Sequence, residues 1–513
     1  MKKVIIGAAA LLFGVVGFAQ SNTGTAEQDG SDNLIRVRQI GALNNAELDQ
    51  DGDNNQAGIL QTGLNDAENG APATPAGLAN DAAITQEGDL NAAFVDQDGD
   101  YNVADIEQTS PSGTDEGNRA YIQQGVGYAV NNEASISQDG SGNDALTRQF
   151  FDSNVASTVQ EGDDNDADIR QNAPSNDAGA GPASAASNIA SVEQYGDLNG
   201  AFVRQNTNPA TVGGFNLATI VQDGDDNYGY QTQDGDTNTA AIVQKGEGNY
   251  ANQDQDGEFN TGIINQGDGA LYSGSLTDFL NGVVFDGSFI PGGVGQSGFD
   301  YGGLNATETA VNDKAYQVQE GFGNYAEAHQ FGRKEQTNTS IQMQSGGGGN
   351  QAFVAQNNNG TDAGDANYAK QVQTGAGTNG ALTVQWGKRN DAETSQDGFF
   401  NAAVIAQRWS DNDARTVQEG DFHQASTEQW GVDGFAVIKQ EGTGHRFAIQ
   451  QGTNAPGAAS TGNQISVLQQ DAGGDGFLDN EYCEPIERME MDMPMPDLDL
   501  KIDLDLCDTP PCV

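Results

Sequence analysis

Oxygen-rich turns are the first residues here with the types and spacing for chemistry. Asp49-x-Asp51-Gly-Asp53-x-Asn55 and Asp96-x-Asp98-Gly-Asp100-x-Asn102 set side-chain oxygens two residues apart, as Ca2+ loops do. No bidentate Glu follows at the EF-hand distance, and the repeating Gly-Gly-x-Gly-x-Asp phrase of Ca2+-binding β-rolls is missing. Asp is also a good, soluble turn former, so the turn reading is preferred and no metal or cofactor is expected. His329, His423 and His445 join no Ser/His/Asp set and no zinc spacing, and no phosphate loop stands out. Catalysis is therefore not expected. Cys483, Cys507 and Cys512 are confined to the tail, where Cys507 and Cys512 flank Thr509-Pro510-Pro511 and form a possible disulfide. Met489, Met491, Met493 and Met495 are weak candidates for copper. The alternation from Asp497 to Leu506 reads as an amphipathic strand for capping, docking or export.

The group that recurs throughout is the carboxamide. The chain reads Gln222-x-Gly224-x-x-Asn227, Gln233-x-Gly235-x-x-Asn238, Gln244-x-Gly246-x-x-Asn249 and Gln255-x-Gly257-x-x-Asn260, then reaches Gln266, with 11 residues between successive Gln. The phrase also opens at Gln39, Gln50, Gln86, Gln97 (with Gly99 and Asn102), Gln138, Gln160 (Gly162, Asn165) and Gln194. It returns at Gln319, Gln373, Gln385 (Gly387, Asn390) and Gln396 (Gly398, Asn401), and persists at Gln418, Gln429 and Gln440 with His or Gly in the Asn slot. A disordered acidic chain has no reason to hold this phase.

The elements that position these amides follow from a second period. Asn238, Ala240, Ile242 and Gln244 lie two apart, as do Asn102, Ala104, Ile106 and Gln108, and Asn165, Ala167, Ile169 and Gln171. Asn91-Ala93-Val95-Gln97 and Asn401-Ala403-Ile405-Gln407 repeat the pattern. Residues two apart share one side of a strand. The intervening positions vary freely, so one face is expected to be buried and the other wet. Gly at the second place after Gln supplies the positive φ of a tight turn. Two strand-turn units make a coil of about 22 residues, which cannot bury its inner face alone and must stack on others. The expected fold class is all-β: a solenoid of stacked strand-turn-strand coils, amyloid-competent at its ends. An unpaired buried amide costs about 1–3 kcal/mol, whereas identical amides about 4.8 Å apart bond along a ladder.

Composition agrees with an exported repeat protein. Met1-Lys2-Lys3, the apolar run Val4–Val16 and Gly17-Phe18-Ala19 read as a signal peptide over residues 1–19, cut before Gln20. A formal net charge of −53 disfavours nucleic acid and anionic membranes and gathers cations diffusely. Like carboxylates on neighbouring rungs repel by roughly 1 kcal/mol in water, so salt or divalent cations are expected to speed any assembly.

The phrases at Gln97–Gln108, Gln160–Gln171 and Gln222–Gln233 resemble the curlin repeat of curli subunits, S-x5-Q-x-G-x-x-N-x5-Q, with Asn, Ala or Gly mostly replacing the leading Ser. The resemblance implies a β-solenoid subunit exported through an outer-membrane pore of a Gram-negative-type bacterium. Assembly into surface amyloid fibres for adhesion and biofilm matrix would follow, with itself, another curlin-repeat subunit or a nucleator as partner. A capped monomeric solenoid adhesin and a secreted Ca2+-binding matrix protein are the alternatives. Residues 20–269 read as a first repeat block with loops near Asn69–Asn80 and Asn172–Ser187. Residues 270–312 read as a non-repeat insertion, 313–470 as a second block, and 471–513 as an acidic Met/Cys tail.

Overall fold

The computed structural model describes residues 22–62, 79–113, 116–125, 130–150, 152–172, 187–205, 214–267, 310–331, 337–346, 348–357, 366–375, 377–452, 460–471, 486 and 488. The proposed signal peptide, nearly all of the 270–312 insertion and all three cysteines lie outside them. Every strand pairing in the described residues is parallel, and the chain falls into two compact units.

The first unit comprises Met1–Asp197, Val203–Phe215 and Asp497–Val513. One of its sheets stacks Thr23–Asp29, Asn45–Asp51, Asp81–Glu87, Val103–Thr109, Glu133–Asp139, Val155–Glu161 and Ile189–Tyr195 in that spatial order. The facing sheet stacks Leu34–Ile40, Gln56–Thr62, Ala92–Asp98, Arg119–Gln124, Asp144–Phe150 and Asp166–Asn172. Consecutive strands thus alternate between sheets, and each coil lies on the one before it.

The second unit comprises Leu198–Phe202 and Asn216–Pro496 and repeats the plan. Its first sheet runs Leu217–Asp223, Thr239–Glu247, Thr261–Gln266, Tyr325–Phe331, Gln351–Asn357, Gly380–Lys388, Ala402–Ser410, Gln424–Val432 and Arg446–Gln451. Its second runs Tyr228–Asp236, Tyr250–Glu258, Lys314–Phe322, Thr339–Gln344, Tyr368–Thr374, Asp391–Asp397, Asp413–Asp421, Phe435–Thr443 and Gln464–Gln470.

Register follows the repeat. Gln222 sits over Gln244 and Gln233 over Gln255, and the small Ala240 and branched Ile242 fill the space between the sheets. The spacing is 22 residues where the phrase is unbroken and stretches to 36 between Gln61 and Gln97 and to 64 between Gln266 and Gln330, because excursions leave and rejoin the same rung. Gly224 shows why the turn needs glycine. Its φ is +121°, and a Cβ there would lie 2.2 Å from the carbonyl oxygen of Gly246 in the next coil.

Two sequence expectations need correction. Asn80, assigned to a loop, is already back in the stack: it is fully buried, and its N–H donates to Asn44 Oδ1. The outward face is also not uniformly wet. On the first sheet of the second unit, Glu327, His329, Phe353, Leu382, Val404 and Ser426 point away from the ladder yet are buried. Runs such as Ala402-Ala-Val-Ile-Ala406 are apolar on both faces, the mark of a parallel strand covered on both sides.

The two described residues of the tail lie on a side wall. Ile486 packs with Ile341 and Tyr368. Arg488 donates to Asp391 Oδ1 at 2.6 Å and to the Ala366 carbonyl at 3.1 Å.

Candidate functional site

The parallel register brings the repeat amides into columns. In the second unit Gln222 donates from Nε2 to Gln244 Oε1 at 2.8 Å, and Gln244 donates to Gln266 Oε1 at 2.9 Å. The column continues through Gln330, Gln356, Gln385, Gln407 and Gln429 to Gln451. The opposite sheet carries Gln233, Gln255, Gln319, Gln344, Gln373, Gln396, Gln418, Gln440 and Gln469 in the same way. In the first unit Gln97 follows Gln61, Gln108 follows Gln86, Gln160 follows Gln138 and Gln171 follows Gln149. The amide hydrogens also reach backbone: Gln244 Nε2 lies 3.0 Å from the carbonyls of both Tyr228 and Asn249. A ladder amide such as Gln244 is therefore satisfied by its own column and by the strand opposite.

Asparagine makes a second column at each turn. Asn238 Oδ1 accepts the N–H of Asn260, while Asn238 Nδ2 donates to the carbonyl of Gly257. Asn102, Asn165, Asn227, Asn249, Asn390 and Asn401 sit in equivalent buried slots. Ala104, Ile106, Ala167, Ala240 and Ile242 line the core between the columns. Gly99, Gly162, Gly224, Gly235, Gly246, Gly257, Gly387 and Gly398 occupy turns with φ between 108° and 124°. Cys507 and Cys512 fall outside the described residues.

Histidine fits the Asn slot by the same valences. His445 N–H donates to His423 Nδ1 at 3.2 Å, and the two rings stack 5.3 Å apart, 4° from parallel. The Nε2 atoms approach the carbonyls of Glu419 and Glu441, as Asn Nδ2 approaches the carbonyl four residues back. Burial lowers the His423 pKa, which keeps Nδ1 an acceptor.

The turn aspartates form a ladder of their own. Asp53 Oδ1 accepts from Ser31 N–H at 2.7 Å, and Asp89 Oδ1 accepts from Asp53 N–H at 2.9 Å. Asp163 accepts from Ser141 and Asp197 from Asp163. The bonds from Ser31 hold Asp53 below the usual carboxylate range. Spacing that suggested a cation loop thus serves inter-coil hydrogen bonds. Among the described residues no group of three or more His, Cys, Asp or Glu could hold a metal ion.

Several features were not read from the repeat. A further column, Gln231, Gln253, Gln317, Gln342 and Gln371, fills the slot that elsewhere holds Ile. Its signal is Gln-x-Gln, as in Gln231-x-Gln233 and Gln371-x-Gln373. Arg408 lies between Trp386 and Trp430, 4.6 and 5.1 Å from the ring centres, which sets a cation against aromatic faces in the coils on either side. Asp313 takes an Asn slot at full burial. One of its oxygens accepts from Asn338 N–H at 2.8 Å, and the other has no partner. Burial, which penalises the charged form, pushes its pKa up to about 8 against the hydrogen bonds from Asn338 that lower it.

The family model for the curlin associated repeat matches residues 77–109 and 215–246. The first stretch contains Asp81–Glu87, Ala92–Asp98 and Val103–Thr109, and the second runs from Leu217–Asp223 into Thr239–Glu247. No curated protein matches the chain. The unmatched coils carry the same amide columns at the same register. Residues 77–109 and 215–246 therefore carry the curlin associated repeat, and both units fold as two-sheeted β-solenoid coils.

Proposed function

We propose that this chain is a secreted structural subunit of curli-like extracellular amyloid fibres, serving surface adhesion and the biofilm matrix. One observation carries the reading: each coil offers the next the same columns and backbone edge that it receives from the one before. The outermost strands, Thr23–Asp29 and Gln464–Gln470, are each paired on one side only among the described residues. An unpaired strand edge is a template for another chain. The curlin repeat marks a structural family, and the ladder residues act by stacking, with no part in catalysis. An outer-membrane export pore and a nucleator belong to this proposal as partners, and cations would associate diffusely with the acidic surface.

A thioflavin-T time course of the mature chain, with fibre diffraction on the product, tests the reading. Fibres giving reflections near about 4.7 and about 10 Å are expected. A β-rich monomer that never grows would overturn the fibre reading in favour of a capped adhesin.

A further inference from the structure

The two outer walls of the first unit carry opposite charge. Its first sheet has no Lys or Arg on any strand, and carboxylates such as Glu47, Asp105 and Glu193 point outward from it. The basic residues between positions 22 and 215 are Arg36, Arg38, Arg119, Arg148, Arg170 and Arg204, and all of them stand on strands of the second sheet.

Three of these arginines stack. Arg148 lies opposite Arg170 in parallel register. Gln205 accepts from Gln171 at 2.9 Å, which sets Arg204 on the following rung. Like charges directly opposite on neighbouring strands destabilise a sheet, so the ladder needs counter-charge. Asp168 offsets one of the three: Arg170 donates from Nε to Asp168 Oδ1 at 3.0 Å, and its Nη2 lies 2.6 Å from Oδ2. Arg148 Nε is buried with no hydrogen-bond partner among the described residues, a costly state for a charged group.

An apolar column runs beside the ladder, two residues earlier on each strand. Phe94 stacks on Tyr121 with ring centres 5.6 Å apart, and Leu146 takes the next rung, buried although it points outward. The wall thus calls for a partner that brings carboxylates and apolar side chains together. Residues 497–506 have that make-up. Asp497, Asp499, Asp503 and Asp505 alternate with Leu498, Leu500, Ile502, Leu504 and Leu506, and Lys501 is the one basic residue among them. Asp497–Val513 also belongs to the first unit, as the ladder does.

We infer that the wall formed by Arg148, Arg170 and Arg204 beside Tyr121 and Leu146 is the docking site for residues 497–506 of the same chain. The tail aspartates supply the counter-charge that the stacked guanidinium groups need, and the alternating Leu and Ile residues cover the apolar column. In a chain of net charge −53, a basic wall is a selective place for an acidic segment to bind. The inference is independent of the fibre reading above.

Trypsin reads the docking, because Lys501 is the sole Lys or Arg after Arg488. In the full mature chain, Arg148→Gln/Arg170→Gln/Arg204→Gln is expected to speed cleavage after Lys501 about tenfold or more, with unchanged circular dichroism. Arg36→Gln/Arg38→Gln, on the same sheet but outside the ladder, should leave the rate as it is. A labelled peptide of residues 497–506 tests the wall without altering it. The peptide should bind the full chain carrying Asp497→Asn/Asp499→Asn/Asp503→Asn/Asp505→Asn about tenfold or more tightly than the wild-type chain, whose wall is already occupied. Binding to neither chain, equal binding to both, or unchanged cleavage in the triple arginine variant would overturn the proposal. Protection of Lys501 that fades on dilution would overturn it as well, since the tail of a second copy would then be the occupant.

Discussion

The two units share one interior and differ on one wall. Inside, Gln108 of the first unit donates to Gln138 Oε1 at 2.8 Å and Gln244 of the second donates to Gln266 Oε1 at 2.9 Å. Outside, the corresponding sheets diverge. The first unit shows Val103, Asp105 and Glu107 to solvent on Val103–Thr109. The second unit has Phe353 and Leu382 fully buried in equivalent places, beside a buried pair in which Glu327 accepts from Tyr325 Oη at 2.6 Å and contacts His329 Nε2. The inward code fixes the coil, and the outward positions are free to become either a hydrated surface or a second core.

The largest expected effect breaks that contrast directly. Phe353→Asp places an unpaired charge in a dry wall and should cost about 3–5 kcal/mol. Ser191→Asp, the same slot in the first unit, should stay within about 0.5 kcal/mol. Urea midpoints of the two variants compare them, and equal shifts would mean that the walls do not differ.

The interior should instead behave alike in both units. Gln244→Leu and Gln108→Leu each strand a donor and an acceptor in neighbouring coils, costing about 1–3 kcal/mol per orphaned group. Hydrogen exchange should show loss of protection in the coils on either side, to a similar degree in the two units.

Acidity separates them again. The pKa of Asp313 in the second unit is raised by burial to about 8, and that of Asp96 in the first to about 6 by burial and by Asp98. A carboxyl held neutral in the fold but ionised when unfolded stabilises fully below its ordinary value near 3.8, and the contribution falls as pH rises toward the folded value. The second unit should therefore keep losing stability up to about pH 8. Asp313→Asn, which restores the amide donor, should flatten that part of the profile in pH-dependent urea melts.

The smallest effect concerns the turns. The residue before the Asn slot takes positive φ: Asn54 in the first unit has φ 62°, and the exposed Phe422 in the second has φ 61°. Asn tolerates this region better than Phe, so Phe422→Asn should stabilise by a few tenths to about 1 kcal/mol, read as a raised urea midpoint. A loss instead would show that stacking with Phe399 and Phe400 outweighs the backbone strain.

The repeat made the interior legible. Gln, Asn, Ala and Ile at period 2, with Gly in the turn, state which side of each strand is buried and how far apart the rungs lie. These terms are local and recur in every coil, so one chain carries many readings of the same rule. Asn80 and the Gln231 column escaped because each departs from the phrase: one rejoins after an excursion, and the other exchanges Ile for Gln.

Composition alone could not decide the outer wall. Val103 and Phe353 both occupy outward positions, yet one is exposed and the other dry, since burial there depends on what long-range packing brings over the sheet. Asp313 reads as a soluble residue in sequence and is buried only because its rung places it among amides. By itself the sequence determined the coil, its register and its amide columns, since each is set by contacts between copies of one short phrase. Only the tertiary structure decided which outward faces are dry and which acid must stay neutral, because those depend on neighbours far apart in the chain.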